Sequence, residues 1–349
     1  MISNTLKTMT ALAVVTLAAT PALAQKLRVS AWGGFFEETL AAEIYPGFTE
    51  ATGIEIESIA QPEDSAWMTQ IANAARANQA PTDVALVTDT VVIRGNNMGL
   101  WASLDASAMP NLEGLLPGKN FADENGVTGA GALGFFVTLV TNTDNEPETP
   151  TSWAELWSRD WDGKLAMNVV PQSGILEITA KTFFDGAETM STQEGLQMII
   201  DKIGELKDKT TLWYRDEGQF QQGIEDGTYN AGMYYHDVAM LSVWDGKPIA
   251  TTFPQEGGVA VDAFWSVPAK SQMTDEAQQF INYMAQPEVQ ELMALTMGIF
   301  PLVPRETMNL SDDDFAAVGS EIEPIVPQTA IFLENQEFIE EAFANMIAE

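Results

Sequence analysis

The densest run of chemistry-bearing side chains is Tyr234-Tyr235-His236-Asp237, two phenols, the chain's one imidazole and a carboxylate in consecutive positions. Tyrosinate oxygens with imidazole and carboxylate form a donor set for a hard cation such as ferric iron. Adjacent side chains on a strand point to opposite faces, however, so the run reads better as the aromatic lining of a cleft for an organic molecule. A second group lies in Glu256-Gly257-Gly258-Val259-Ala260-Val261-Asp262-Ala263-Phe264-Trp265-Ser266-Val267-Pro268, expected to run through the floor of such a cleft. Alternation puts Asp262, Phe264 and Ser266 on one side and Val261, Ala263 and Trp265 on the other. Asp262 and Trp265 therefore need a bend or bulge to meet one ligand, and otherwise Trp265 is core. Trp32, before Gly33-Gly34, either stacks on a ligand or packs inside. Thr88 and Asp89 end a short apolar strand, where open α/β folds bind ligands, although Asp89 equally suits an N-cap for a helix over 90–98. Aromatic faces attract organic cations and carboxylates give direction. The candidate ligand-binding set is thus Trp32, Thr88, Asp89, Tyr234, Tyr235, Asp237, Asp262 and Trp265.

Little in the chain suits catalysis. There is no Gly-x-Ser-x-Gly elbow and no phosphate-cradling G-x-x-x-x-G-K-[ST] loop. One histidine precludes a His-rich metal site, and the absence of cysteine excludes thiol catalysis, cysteine-ligated zinc and iron–sulfur clusters. His236, Asp237 and Ser242 are too close in sequence for a triad assembled from separate loops. The expectation is a binding protein without enzymatic activity and without a cofactor, with a secreted hydrolase and a structural envelope protein as the alternatives.

The elements that must position these residues follow from periodicity and turn chemistry. A strand over 26–32, the Gly-Gly turn, a helix over 35–43 interrupted near Pro46-Gly47 and a strand over 54–59 make a β-α-β unit lacking the third glycine of a dinucleotide fingerprint. A helix over 65–78, the apolar strand 84–87 and the helix 90–98 follow, then a turn-rich connection over 105–129. The apolar run 131–141 predicts a buried strand crossing into a second lobe. Ser152 with Glu155 three residues on forms a capping box. Strands near 164–170, 213–214, 228–233 and 247–253 alternate with helices near 175–184, 192–207, 238–244, 275–284 and 289–296, with a last helix near 335–347. Repeated β/α units in two blocks predict an α/β, two-lobed, mostly parallel architecture with a cleft between lobes. The expected division is 25–133 plus 261–303 as lobe 1, 134–260 as lobe 2, and 304–349 packing on the lobes.

Residues 1–24 read as a secretory signal peptide: Lys7, a short apolar stretch over 9–19, then Ala22-Leu23-Ala24. That leaves about 325 residues, enough for two domains without disulfides. Sixteen Lys plus Arg against 50 Asp plus Glu give a formal charge of −34. Such a chain is repelled by nucleic acid and anionic lipid, and its scattered acids suit a solvated surface of the kind favoured in saline surroundings.

Several pieces in order resemble the spermidine/putrescine-binding branch of the periplasmic solute-binding proteins of bacterial ABC importers. They are Trp32-Gly33-Gly34, Phe48-Thr49-Glu50-Ala51-Thr52-Gly53-Ile54, Asp83-Val84 with Gly99-Leu100, Ser152-Trp153-Ala154-Glu155-Leu156-Trp157 with Trp161-Asp162-Gly163-Lys164, Phe253-Pro254-Gln255-Glu256-Gly257-Gly258, residues 277–284 with Pro287-Glu288, and 298–304. The resemblance implies a type II periplasmic-binding-protein fold, a monomer that closes on a small-molecule solute in the periplasm and delivers it to an inner-membrane permease. It places the family's first aromatic on Trp32 and an acidic position on Asp237. The family's second-lobe acids fall near Val170 and Ser173, and its later Trp and Asp fall on Val261 and Ala263, one residue away from Asp262. Ligands of the family are thereby narrowed to a smaller or singly charged amine, or another polar solute such as a zwitterion.

Overall fold

The computed structural model describes residues 25–62, 64–215 and 217–348; the expected signal peptide, 1–24, lies outside them. Ten strands form one sheet: β1 Leu27–Trp32, β2 Ile56–Gln61, β3 Val84–Thr88, β4 Asn120–Asp123, β5 Gly126–Asn142, β6 Leu165–Asn168, β7 Thr210–Tyr214, β8 Ala231–Tyr235, β9 Ile249–Thr252 and β10 Val259–Ser266. Its order is β2-β1-β3-β10-β5-β8-β6-β7, with β4 and β9 as further partners of β5. The outer blocks β2-β1-β3 and β8-β6-β7 are parallel, and the two central strands join them by antiparallel pairing.

Register converts this topology into a cleft. The end of β3, Thr88, pairs with Ala263, which pairs with Leu133 of β5. The end of β8, Tyr235, pairs with Val137 of the same strand. Because β3 runs along β5 and β8 runs against it, the two parallel blocks point their carboxyl ends at each other. Four residue steps along β5, from Leu133 to Val137, separate them, about 13 Å at the rise of an extended strand. Gly134, Phe135 and Phe136, with Ala260, Val261 and Asp262 of β10 paired to them, cross that gap. The 256–268 stretch therefore does run through the floor. Open α/β sheets bind ligands at such facing strand ends.

Each lobe buries both faces of its block. Leu27, Val29, Ala31, Val84, Leu86 and Trp265 pack with Phe48, Phe280 and Met293 on one face of the first. Ala85, Val87 and Phe264 pack with Trp67, Ile71 and Val92 on the other. In the second lobe, Leu139, Leu165 and Met233 pack with Trp153, Leu196 and Ile200 on one face. Val140, Ala166 and Tyr234 pack with Phe220 and Ile224 on the other. Apolar runs such as Val84-Ala85-Leu86-Val87 in β3 are what a sheet covered on both sides demands. Ile325, Phe332, Ile339 and Phe343 of the C-terminal segment join the second-lobe core.

Two local expectations change. The chain is not broken at Pro46: the helix Phe35–Thr39 passes through a π-helical turn, Leu40–Ile44, into the helix Tyr45–Thr52. Pro46 lies at the junction between the π-helical turn and that last helix. The connection over 105–129 contains β4, which pairs with β5 and places Lys119 beside the cleft floor.

Candidate functional site

Strands β1, β3, β7 and β8 end at the cleft, and each runs into a helix: Phe35–Thr39, Asp89–Met98, Glu217–Glu225 and His236–Trp244. The short β6 leads through Pro171–Ser173 into the helix Ile175–Phe183. Acids in first helical turns, here Asp89, Glu177, Glu217 and Asp237, are favoured by the helix dipole. That local preference explains part of the cleft's acidity.

An aromatic row spans the gap. The Trp32 ring centroid lies 5.4 Å from Phe36 and 5.8 Å from Phe135, and Phe135 lies 6.1 Å from Tyr235. Trp32 comes from one lobe, Tyr235 from the other, and Phe135 from the strand that joins them. Each of these rings is half-buried. Burial, then the charges of Glu217 and Asp237, push the Tyr235 phenol up, so it stays a hydrogen-bonding hydroxyl.

Asp237 stands two residues beyond Tyr235, in the first turn of its helix. Its Oδ1 is buried with no hydrogen-bond partner among the described residues. Burial raises its carboxyl to about 6, and the charge of Glu217 adds to the rise. A buried carboxylate oxygen without a donor is costly unless something arrives to pair with it. The Ser173 hydroxyl, at the cleft end of β6, is likewise buried and unpartnered.

The other half of the cleft is a cavity of about 240 Å³. It is open along β10 because β3 pairs only with Ala263–Ser266 and Ile325 pairs only with the stretch up to Ala260, leaving the edge at 261–262 uncovered on that side. Its walls include Asp89, Gln172, Glu177, Val261, Asp262 and Phe264, and residues 326–332 close it. The Asp89 carboxylate accepts from the Thr90 N–H and the Thr329 hydroxyl. Glu177 Oε1 accepts from the Gln328 N–H at 2.9 Å, and burial, with the Asp89 charge adding, pushes its carboxyl up. Asp262 Oδ2 lies 2.6 Å from Lys119 Nζ, and the two side chains are 21% and 18% exposed. Burial holds the Asp262 carboxyl above its ordinary range, with Lys119 opposing and Asp89 adding.

The structure thus joins Trp32 and Tyr235 in one aromatic row, with Asp237 near enough to Tyr235 for its charge to act on the phenol, and brings Asp89 and Asp262 together at the cavity, with Thr88 at the β3 end. Two expected residues are elsewhere. Trp265 is fully buried against Phe280, 5.1 Å between ring centroids. The β10–β5 register does shift, between Ala263 and Phe264, but the extra residue is Ala132 of β5. The alternation of β10 is kept, so Asp262 and Trp265 stay on opposite faces. Tyr234 is buried 4.6 Å from Phe220, on the face away from Tyr235. Asp89 is not an N-cap: Thr88 holds that position and Asp89 is the first helical residue.

His236 is also turned away. Its Nε2 is 3.0 Å from the Ala317 carbonyl and its Nδ1 is 2.9 Å from the Thr251 hydroxyl. A carbonyl only accepts, so Nε2 carries the proton and Nδ1 accepts from Thr251. Burial lowers the imidazole to about 4, so the ring is neutral. Among the described residues no three His, Asp or Glu side chains are grouped to hold a metal, and ferric iron loses its histidine. Sequence reasoning missed Phe135, Lys119, Glu177 and Thr329. Phe135 was hidden in an apolar run, and the others meet the cleft only through tertiary contacts.

Two α/β lobes joined by antiparallel crossing strands, with facing carboxyl ends and an aromatic, acidic cleft, define a periplasmic-binding-protein fold of type II. The chain belongs to the bacterial extracellular solute-binding proteins, whose family model matches residues 43–317. It is similar to the spermidine/putrescine-binding periplasmic protein of Escherichia coli (strain K12), with 23% identity over 263 residues covering 72% of this chain and 71% of that protein. An ABC transporter substrate-binding protein from Bradyrhizobium japonicum USDA 110 has the same fold, with TM-score 0.78 and 18% identity over 92% of this chain and 99% of that one. A solved Atu4243–GABA receptor gives TM-score 0.74 and 21% identity, covering 93% and 98% of the two chains. Among the described residues no helix is long and apolar enough to cross a membrane.

Proposed function

We propose that this protein is the periplasmic solute-binding component of an ABC importer, and that it captures a small organic amine and delivers it to an inner-membrane permease without chemical change. The observation that carries the reading is the buried Asp237 Oδ1, unpartnered among the described residues and close to Tyr235, the last ring of the Trp32–Phe135–Tyr235 row. An ammonium group satisfies that oxygen, and the rings cover the attached carbon chain while attracting the charge. Trp32, Thr88, Asp89, Tyr235, Asp237 and Asp262 are the ligand-facing members of the sequence-derived set. The name of the Escherichia coli relative supports an amine, and its low identity leaves the particular amine open. A zwitterionic amino-acid derivative is the second reading, favoured by the presence of both Asp237 and Lys119 at the cleft. Calorimetry or thermal-shift measurement with amines, amino-acid derivatives and ferric ion tests the assignment. Binding of an amine that is lost in Asp237→Asn supports it. Binding of an anion or iron with no response to any amine overturns it.

A further inference from the structure

Three carboxylates of the cleft cavity are already engaged by the chain. Asp89 holds the Thr90 N–H and the Thr329 hydroxyl, Glu177 holds the Gln328 N–H, and Asp262 holds the Lys119 ammonium at 2.6 Å. The first two bind the segment that closes the cavity. The third differs in kind, because it is a full ion pair placed on an acid that faces the cavity.

The path of Lys119 indicates a built feature. Asn120 and Trp265 both pair with Ala130, from opposite edges of β5, so Lys119 and Asp262 start on opposite sides of that strand. The lysine side chain reaches Asp262 by crossing the face of β5, and the residues it passes are glycines. A Cβ on Gly131 would sit 3.1 Å from Lys119 Cβ, and one on Gly134 would sit 3.2 Å from Asp262 Oδ1. Side chains at either place would crowd the pair. Among 50 acids and only 16 Lys plus Arg, a half-buried lysine spent on a cleft carboxylate is not a consequence of composition.

We infer that Lys119 is a specificity-determining residue: its ammonium occupies Asp262 in place of a second ligand ammonium, so that the solute carries a single cationic group. The inference rests on the reading of Asp237 as the amine site. Among the described residues one buried carboxylate oxygen lacks a donor, and one ammonium is held there. The cavity end takes the uncharged or hydrogen-bonding remainder of the molecule. A second ammonium would meet Lys119 at close range and be repelled, in an interior where like charges interact more strongly than in water.

The test is calorimetry with butylamine, 4-aminobutanoate and 1,4-diaminobutane on the wild type, Lys119→Met and Lys119→Arg. The expected wild-type result is binding of butylamine or 4-aminobutanoate at least tenfold tighter than of the diamine. Lys119→Met then improves the diamine-to-monoamine affinity ratio by tenfold or more, and Lys119→Arg keeps the wild-type ratio. If Lys119→Met does not fold, Asp262→Asn replaces it, and the released lysine raises the preference for 4-aminobutanoate over butylamine several-fold. A wild type that binds the diamine as tightly as the monoamine, or variants that leave the ratios unmoved, overturns the inference while the amine site at Asp237 stands. Absence of binding by all three amines overturns both.

Discussion

Asp237 and His236 are neighbours in sequence with opposite electrostatic problems. Asp237 is raised to about 6, so its proton is bound more tightly in the folded than in the unfolded chain. That contribution to stability is present at low pH and is lost as pH rises through about 6. His236 is lowered to about 4, so its contribution is present above the ordinary histidine range and is lost as pH falls towards 4. The two offset each other on acidification, each by about 1–3 kcal/mol. The Asp237→Asn variant should therefore be more stable than the wild type at pH 7.5 and should lose stability more steeply between pH 6.5 and 4. Thermal melts across that range check this, and parallel curves for the two proteins would count against it. Binding has its own signature. An amine stays protonated throughout, so affinity should fall about tenfold per pH unit below pH 6, as Asp237 takes up its proton. Asp237→Asn should flatten that profile and weaken binding by about 30-fold or more, as the loss of a buried charged partner costs ~2 kcal/mol or above.

At the scale of elements, the turn before β10 fixes the cleft floor. Glu256 accepts from the Ser152 hydroxyl and from the Trp153 N–H, and the Trp153 indole donates to the Gly257 carbonyl at 2.8 Å. The 256–258 turn is thus clamped to Ser152 and Trp153, just ahead of the short helix Glu155–Ser158; the expected capping box is only half formed, because Ala154 and not Ser152 is the N-cap, although the Glu155 carboxylate accepts from the Ser152 N–H. Gly257 has φ of +104°, and a Cβ there would approach the Glu323 carbonyl oxygen to 2.2 Å. Gly257→Ala should destabilise the protein by about 2–4 kcal/mol, from backbone strain and the collision together. Denaturant unfolding measures it, and a loss below about 0.5 kcal/mol would mean that the turn is not held this way. The segment closing the cavity is a second linking element. It is anchored in the second-lobe core by Phe332 and reaches first-lobe residues through Thr329 to Asp89 and Gln336 to Arg94. Thr329→Ala should raise the ligand dissociation rate several-fold with little change in association, because the lost bond spans the lobes only when they are together. Stopped-flow kinetics would show it, and an unchanged off-rate would exclude Thr329 from closure.

For the whole molecule, a formal charge of −34 imposes repulsion that the fold must overcome. Salt screens such repulsion with a Debye length of about 10 Å at 0.1 M and ~3 Å at 1 M. The melting temperature should rise from 10 mM to 1 M NaCl, and a flat or falling trend would mean that the acids are locally compensated. The same field concentrates cations near the cleft, so amine association should slow as salt is added while the fold becomes more stable. Opposite salt responses of binding and stability distinguish a general acidic surface from a cleft effect.

The sequence by itself determined the alternation of β/α units, the two crossing strands and the family. These depend on local periodicity, turn chemistry and motif order, all of which lie along the chain. It also offered Trp32, Tyr235, Asp237 and Asp262 as candidates by their chemistry. Tertiary structure alone decided which of two adjacent residues faces the cleft. Tyr234 and Trp265 went to the cores because packing on both faces of each block fixes register, and a register shift in β5 leaves the alternation of β10 untouched. Only tertiary structure paired Asp262 with Lys119, 143 positions away along the chain, because a contact across two glycines of a third strand leaves no periodic mark in the sequence.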